Sequence, residues 1–412
     1  MNELENQNEP EHKGKKRRFS GKKISSTKKA FFAGIAAALG VVALLFLLIN
    51  FVWLPGSTSS PGSWLSAKKI RTIEELIDQV YAGDKEDEKL ADSMYKGLIS
   101  GLGDRYSTYY TASEYEAIKT AQDGYYEGIG VTVSMEEDHL IVEEVQQDTP
   151  AWNAGILPGD QIVRIDGNEL TGMTLSEAVA LLKENGKETV TLTISRESGE
   201  NGTSEELLLE VKKEKLEAVS VAGEMLEDSI GYLAISEFTS LTAKQFGEVY
   251  ENLKEQDMER LIVDLRGNPG GLVSSVCDTL RQILPEGLIV YTEDKNGKRE
   301  EYLCDGDTPI DIPLVVLVNE NTASAAEIFT GAVKDYGIGT IVGTVTFGKG
   351  IVQNTYKLPD GSVVKLTIAH YYTPLGNDIH GVGITPDVEI ELPEDADSDV
   401  QLEKAIDVVK KM

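Results

Sequence analysis

Residues 30–54, AFFAGIAAALGVVALLFLLINFVWL, hold no charged side chain. A run of that length spans a bilayer as one helix, whereas a helix at the surface of a globular domain needs a polar face. The flank gives it a direction. From Lys13 to Lys29 every charged residue is Lys or Arg, and such residues stay on the cytoplasmic side. The sequence predicts a cytoplasmic basic tail over 1–29, a transmembrane helix over 30–54 with Trp53 at the interface, and an outward-facing remainder. A cleaved signal peptide is the competing reading. It meets an apolar run that is long for such a segment and is followed by no A-x-A site.

The rest of the 412 residues is strongly acidic, and the net charge is −30. Phosphates are repelled by such a surface, so nucleic acid is not an expected partner. The length allows two or three domains. Cys277 and Cys304 stand outside any C-x-x-C pair or histidine cluster. They read as two buried apolar residues, or as one disulfide outside the cell, and no metal or other cofactor is implied.

Residues 55–66 are a Pro/Gly/Ser linker. Over 67–119 the pattern is helical, with Ile70, Ile73, Leu76, Ile77 and Val80 on one face and the stretch DRYSTYYTASEYEAIK closing the helical region. Over 120–213 it becomes a small β-rich unit: two strands around an acidic turn, turns at Pro-Gly-Asp and Asp-Gly, one helix (TLSEAVALLKE) and a strand (ETVTLTISRE). Over 214–395 apolar strands (SIGYLAIS, RLIVDLRG, PLVVLVNE) alternate with helices, the pattern of a layered α/β domain. Residues 396–412 form an amphipathic helix with Leu402, Ile406 and Val409 on one face.

Three places can carry chemistry. Ser324 opens a helix in NENTASAAEIFTGAV, and with Glu327 it spells the S-x-x-E capping box. Lys349 sits between two glycines in GTVTFGKGIVQ, with Phe347, Ile351 and Val352 near it. A lysine pressed among apolar groups loses basicity and can act as a general base, while the bland alternative is an exposed turn lysine. The glycine-rich VDLRGNPGG follows an apolar strand and can present backbone N–H groups to an anion, or simply turn the chain. A Ser–His–Asp triad would have to use His370 or His380, and neither has a distinguishing context.

In this order VDLRGNPGG, NENTASAAEIFTGAVKDYG, GKGIVQ and TPLGNDIHGVGITPD resemble the C-terminal processing peptidases, tail-specific serine proteases of family S41 with a Ser–Lys dyad. Upstream, GLGDRYSTYYTASEYE resembles the stretch before that family's PDZ domain, and YEGIGVTV through GDQIVRIDGNEL resembles the PDZ domain itself. The resemblance implies an α/β (α+β) multidomain fold, with a crotonase/Clp-protease-like core, an inserted PDZ domain and one preceding transmembrane helix. It implies Ser324 as nucleophile, Lys349 as general base and Gln353 orienting the lysine. It also implies oxyanion N–H groups from Ala325 and the Gly270–Gly271 pair, with either glycine the donor. Around the nucleophile the family's Ser-Ala-Ser-Ala-Ser is replaced by Thr322-Ala323-Ser324-Ala325-Ala326.

Gly128, Ile129, Gly130 and Val131 resemble a PDZ carboxylate-binding loop, in which a peptide C-terminus adds as a strand. Arg196 matches a family arginine expected to help set the lysine site. Together these imply a single-pass bacterial membrane protein whose extracellular part cleaves proteins near free, apolar C-termini, gated by the PDZ domain. They also imply a homodimer formed through the terminal amphipathic helices. The alternative from another class is a non-catalytic PDZ adaptor or holdase, which would need neither Ser324 nor Lys349.

Overall fold

A computed structural model describes residues 66–136, 139–183, 187–198, 203–393, 396 and 398–412. The basic tail, the expected transmembrane helix over 30–54 and the linker up to 65 lie outside the described residues. Among those described, no helix is long and apolar enough to cross a membrane. The chain divides into two compact units, 1–85 and 86–412. The first contributes the helix Ala67–Val80, capped by Ser66, whose hydroxyl accepts the Lys69 N–H at 3.3 Å. Its Ile73, Leu76 and Val80 are exposed.

The second unit begins with the helix Asp87–Ser100 and continues to the helix Ala112–Gln122, which opens on a Thr111–Glu114 capping box. The expected helical region over 67–119 contains a strand. Thr108–Tyr110 is a strand, paired antiparallel with residues 363–365 far along the chain. Threonine and tyrosine favour extended backbone, and here burial decides the outcome. Tyr109 is only 4% exposed, and its hydroxyl donates to Asp92 at 3.0 Å.

The small β-rich unit is a sheet in the order Val131–Glu136, His139–Val145, Gln161–Ile165, Thr189–Ser198, Thr203–Lys212. Val190, Leu192 and Ile194 alternate inward onto Leu140, Val142, Ile162 and Ile165, all fully buried. The helix Leu175–Leu182 starts at a second capping box, Thr174 with Glu177. The chain enters and leaves this unit side by side, because Tyr125–Gly128 pairs antiparallel with Glu214–Glu217. That two-stranded ribbon makes the unit an insertion.

The larger α/β part is built on a sheet in the order Val221–Leu226, Ile230–Ile235, Arg260–Asp264, Leu314–Val318, Thr340–Gly343, Val388–Glu389. The first pair is antiparallel and the other four are parallel. Leu314–Val318 is buried at every position, as a central parallel strand covered on both faces must be. Its residues part by parity. Leu314, Val316 and Val318 join the core that includes Phe246, Val276 and Phe329, from the helices Thr242–Glu255, Val273–Leu280 and Ala325–Tyr336. Val315 and Leu317 join Ala405 and Val409 of the helix Val400–Val409. A second sheet carries Val363–Tyr372, flanked by Thr108–Tyr110 and Gly287–Asp294, with Ile351–Lys357 also paired to it.

The C-terminal helix thus departs from one expectation. It is amphipathic as the sequence says, but its apolar face covers the chain's own sheet, so that face is not available for self-association. Val409→Asp would bury an unpaired carboxylate against that sheet, at a cost on the order of 3–5 kcal/mol. Urea unfolding of the purified variant should show this as a lower midpoint. A helix serving only as a dimer contact would change the sedimentation behaviour instead.

Candidate active site

The central strand Leu314–Val318 delivers the chain to a tight turn before the helix Ala325–Tyr336. The turn is held from three sides. Asn319 N–H donates to Thr322 Oγ1 at 2.9 Å, Thr322 Oγ1 donates to the Leu265 carbonyl at 2.8 Å, and Ala323 N–H donates to the Asn268 carbonyl at 2.9 Å. Ser324 then adopts φ +57°, ψ −117°. The other capping-box residues, Thr111 and Thr174, hold the extended backbone usual for a helix cap, with φ −63° and −77°. A non-glycine residue with the Ser324 dihedrals carries strain of about 1–3 kcal/mol, which the surrounding contacts must hold in place. The strain turns a half-buried serine to the mouth of the helix.

Glu327 does reach back to the Ser324 N–H, at 2.9 Å, as the sequence suggests. It also does much more. Fully buried, its carboxylate accepts from Thr346 Oγ1 at 2.6 Å, Gly348 N–H at 2.7 Å and Lys349 N–H at 2.8 Å. One carboxylate therefore joins the Ser324 turn to the Gly-Lys-Gly loop. Tyr371 joins them a second time. Its buried hydroxyl lies 2.9 Å from the Ser324 carbonyl oxygen and 2.6 Å from that of Lys349. Burial raises this phenol well above its ordinary pKa, so it remains a protonated donor.

Lys349 is half-buried. Burial lowers its pKa below that of a free lysine, and Lys365 and Arg105 act in the same direction, while Glu327 and Asp104 oppose them. Its Nζ lies 5.0 Å from the centroid of the Tyr106 ring. Among the described residues Nζ makes no hydrogen bond or ion pair. Gln353 is not brought to the amine. Its Nε2 sits 3.4 Å from both the Ile351 carbonyl and Thr367 Oγ1.

Gly270 and Gly271 of VDLRGNPGG separate clearly. Gly270 N–H donates to Asn268 Oδ1 at 2.8 Å, and a Cβ on Gly270 would come within 2.7 Å of Ser324 Cβ and 2.8 Å of Ala325 N. Only glycine fits that approach at φ +105°. Among the described residues the N–H groups of Gly271 and Ala325 have no acceptor. Asn268, which the sequence reading passed over, is fully buried and donates to the Ile235 carbonyl at 2.8 Å. It fixes the glycine loop to the turn that carries Ser324.

A cavity of about 500 Å³ opens beside the lysine loop, lined in part by Arg105, Tyr106, Phe347, His370 and His380. The two imidazoles pack edge to face with centroids 5.4 Å apart, and His370 Nδ1 is 4.0 Å from Asp378. Among the described residues neither hydrogen-bonds Ser324, and no His, Cys, Asp and Glu cluster suited to a metal is present. Cys277 and Cys304 are both buried free thiols.

Comparison with known proteins gives the family. Residues 229–390 match the model of peptidase family S41, and residues 141–196 match a PDZ domain. The carboxy-terminal processing protease CtpA of Bacillus subtilis is 33% identical over 367 residues, covering 89% of this chain and 78% of the relative. The chain belongs to peptidase family S41. The carboxy-terminal processing protease CtpB of the same organism is also 33% identical, over 79% of this chain and 68% of the relative. An S41 protease from Bacteroides fragilis shares the fold, with a TM-score of 0.53 at 16% identity, over 82% of this chain and 97% of that one. This S41 chain is thus a serine-type carboxy-terminal processing peptidase of mixed α/β fold with a PDZ domain.

Within the PDZ domain, Val131–Glu136 lies at the edge of its sheet. Gly130 precedes it at φ +87°, where a Cβ would strike Thr149 at 2.4 Å. The Ile129 and Gly130 carbonyls accept from Ala151 and Gln146 at 2.8 and 3.0 Å, which fixes the loop shape. Arg196 is not at the lysine loop. It grips the buried Asp160 with two bonds of 2.6 and 2.7 Å and the Gly155 carbonyl with another of 2.7 Å, all inside the PDZ domain.

Tyr371→Phe should cost about 1–2 kcal/mol by removing the hydroxyl that bonds the Lys349 and Ser324 carbonyls, of which the Ser324 oxygen keeps the Glu327 and Ile328 N–H groups. It should also lower the rate constant of cleavage, since both site loops lose one common tie. Urea unfolding and turnover of an unfolded protein substrate measure the two effects.

Proposed function

We propose that Ser324 is the nucleophile of this peptidase and Lys349 its general base. The observation that carries the proposal is the double tie between them: buried Glu327 and buried Tyr371 each bond the Ser324 turn and the Lys349 loop. The strained serine backbone and the lowered lysine pKa support it. A neutral lysine takes the serine proton as Oγ attacks the scissile carbonyl, then returns it as ammonium to the leaving amine. The oxyanion is received by the Ala325 and Gly271 N–H groups, because the Gly270 N–H already has an acceptor. Gln353 orients the amine only after leaving Ile351 and Thr367, so its role belongs to the substrate-bound state.

The PDZ edge strand takes an apolar substrate C-terminus by β-addition, with residues 128–131 around the carboxylate, and its occupancy gates cleavage. The core is of the crotonase/Clp-protease-like type. Residues 30–54 anchor the protein in a bacterial membrane with the catalytic part outside, a reading that the apolar run and its basic flank support. Self-association uses the exposed apolar face of Ala67–Val80.

Cleavage of an unfolded protein tests the dyad. Ser324→Ala and Lys349→Ala should each lower kcat by at least about a thousandfold, while His370→Ala keeps activity. Equal activity of the lysine variant and the wild type would remove Lys349 from the mechanism. An added apolar C-terminal peptide should stimulate the wild type.

The pH profile gives an independent check. A general base works unprotonated, so kcat/KM rises with pH through the lysine pKa. Because burial lowers that pKa, the rise should come below the range of a free lysine. A rise at the free-lysine value would contradict a buried base.

A further inference from the structure

The amine of Lys349 rests on the face of Tyr106, and Tyr106 belongs to a loop outside both the catalytic motifs and the PDZ domain. On the reading of Lys349 as general base, we propose that Tyr106 is a positioning residue for the lysine amine, and that Arg105 braces the ring and supplies a fixed charge beside it.

The loop is fastened to the catalytic domain rather than laid over it. Ser107 Oγ accepts the Thr367 N–H at 3.0 Å, and the next three residues pair with 363–365. Asp104 ties the loop internally, accepting from Tyr106 N–H at 2.9 Å and Ser107 Oγ at 2.6 Å. Arg105 is inserted between two rings, its guanidinium carbon 4.8 Å from the Tyr106 centroid and 5.2 Å from that of Phe347. It also donates to Tyr106 Oη at 2.6 Å. In a chain of net charge −30, Arg105 makes no ion pair with a carboxylate among the described residues. Phe347 lies two residues before Lys349, so rings and cations from two distant segments form one stack beside the base.

The stack does two things to the amine. An aromatic face attracts an ammonium and keeps it over the ring, and the same face excludes water from one side. The charged groups around the amine come from three elements. Lys365 stands on the strand Val363–Tyr372, Glu327 on the helix Ala325–Tyr336, and Arg105 and Asp104 on this loop. His370 and His380 line the adjoining cavity. Arg105 favours the neutral amine that catalysis needs, and Asp104 opposes it.

Steady-state cleavage of an unfolded protein by the full-length enzyme tests this. Tyr106→Leu should lower kcat roughly 10- to 100-fold with KM changed by less than about twofold, and Tyr106→Phe, which keeps the ring, should recover most of the loss. Arg105→Gln should move the acid limb of kcat/KM to higher pH, because without the nearby cation the lysine holds its proton longer. Wild-type or raised kcat in Tyr106→Leu would overturn the proposal. So would an unmoved acid limb in Arg105→Gln, an exposed substitution that decides the matter even if the tyrosine variant does not fold. Lys349→Ala separates the two levels. If it is active, the base assignment fails; if it is inactive while the Tyr106 and Arg105 variants behave as wild type, only the present proposal fails.

Discussion

The buried carboxylate of Glu327 is the constraint on which the site depends. A carboxylate taken fully out of water is costly unless donors replace its hydration. Here four do: three backbone N–H groups and one hydroxyl. Those donors come from the helix start at Ser324 and from residues 346–349, so satisfying the charge and aligning the two loops are the same event. Bonds to a charged acceptor are stronger than neutral ones, which helps hold the strained Ser324 backbone. The arrangement also has a chemical consequence. A negative charge near Lys349 favours its protonated form, so the lowered pKa has to come from burial and from the cations Lys365 and Arg105 acting against Glu327.

Much of this frame was legible in the sequence because it rests on periodicity. The unbroken apolar runs in PLVVLVNE and RLIVDLRG mark strands covered on both faces, and the S-x-x-E at Ser324 marks a helix start, as found. What stayed hidden is long-range. Tyr371 lies 47 residues from Ser324, and nothing local distinguishes it from any other tyrosine in a strand. Asn268 was in view within VDLRGNPGG, but only the fold shows that its side chain occupies the Gly270 N–H and leaves that of Gly271 without an acceptor. Thr108–Tyr110 read as part of a helical region because its partner strand begins some 250 residues later. The C-terminal helix was visible as amphipathic, yet amphipathicity says only that one face is covered and not by what.

Arg266 shows how that helix becomes part of the site's support. Its guanidinium bonds Asp264, at the end of a central strand, and Asp399, whose side chain also caps the helix Val400–Val409 through the Leu402 N–H. Tyr232 adds a bond of 2.7 Å to Asp264. The glycine loop that follows Arg266 starts from this fixed point. The C-terminal helix thus reaches the site by holding the strand end from which residues 267–271 depart, without touching the serine.

The PDZ domain obeys a different economy. Its core is separate from that of the catalytic domain, and its chain enters and leaves through the ribbon of Tyr125–Gly128 with Glu214–Glu217. Arg196 is held inside it by Asp160 and Gly155. A domain with its own core and a narrow connection can change position without unfolding, whereas the Glu327 and Tyr371 ties are buried and fully bonded. Any influence of a bound peptide on catalysis is therefore most easily transmitted to the parts of the site that are not locked. Among the residues assigned to the site, those are the amine of Lys349, which makes no hydrogen bond or ion pair among the described residues, and the Gln353 side chain with its long contacts.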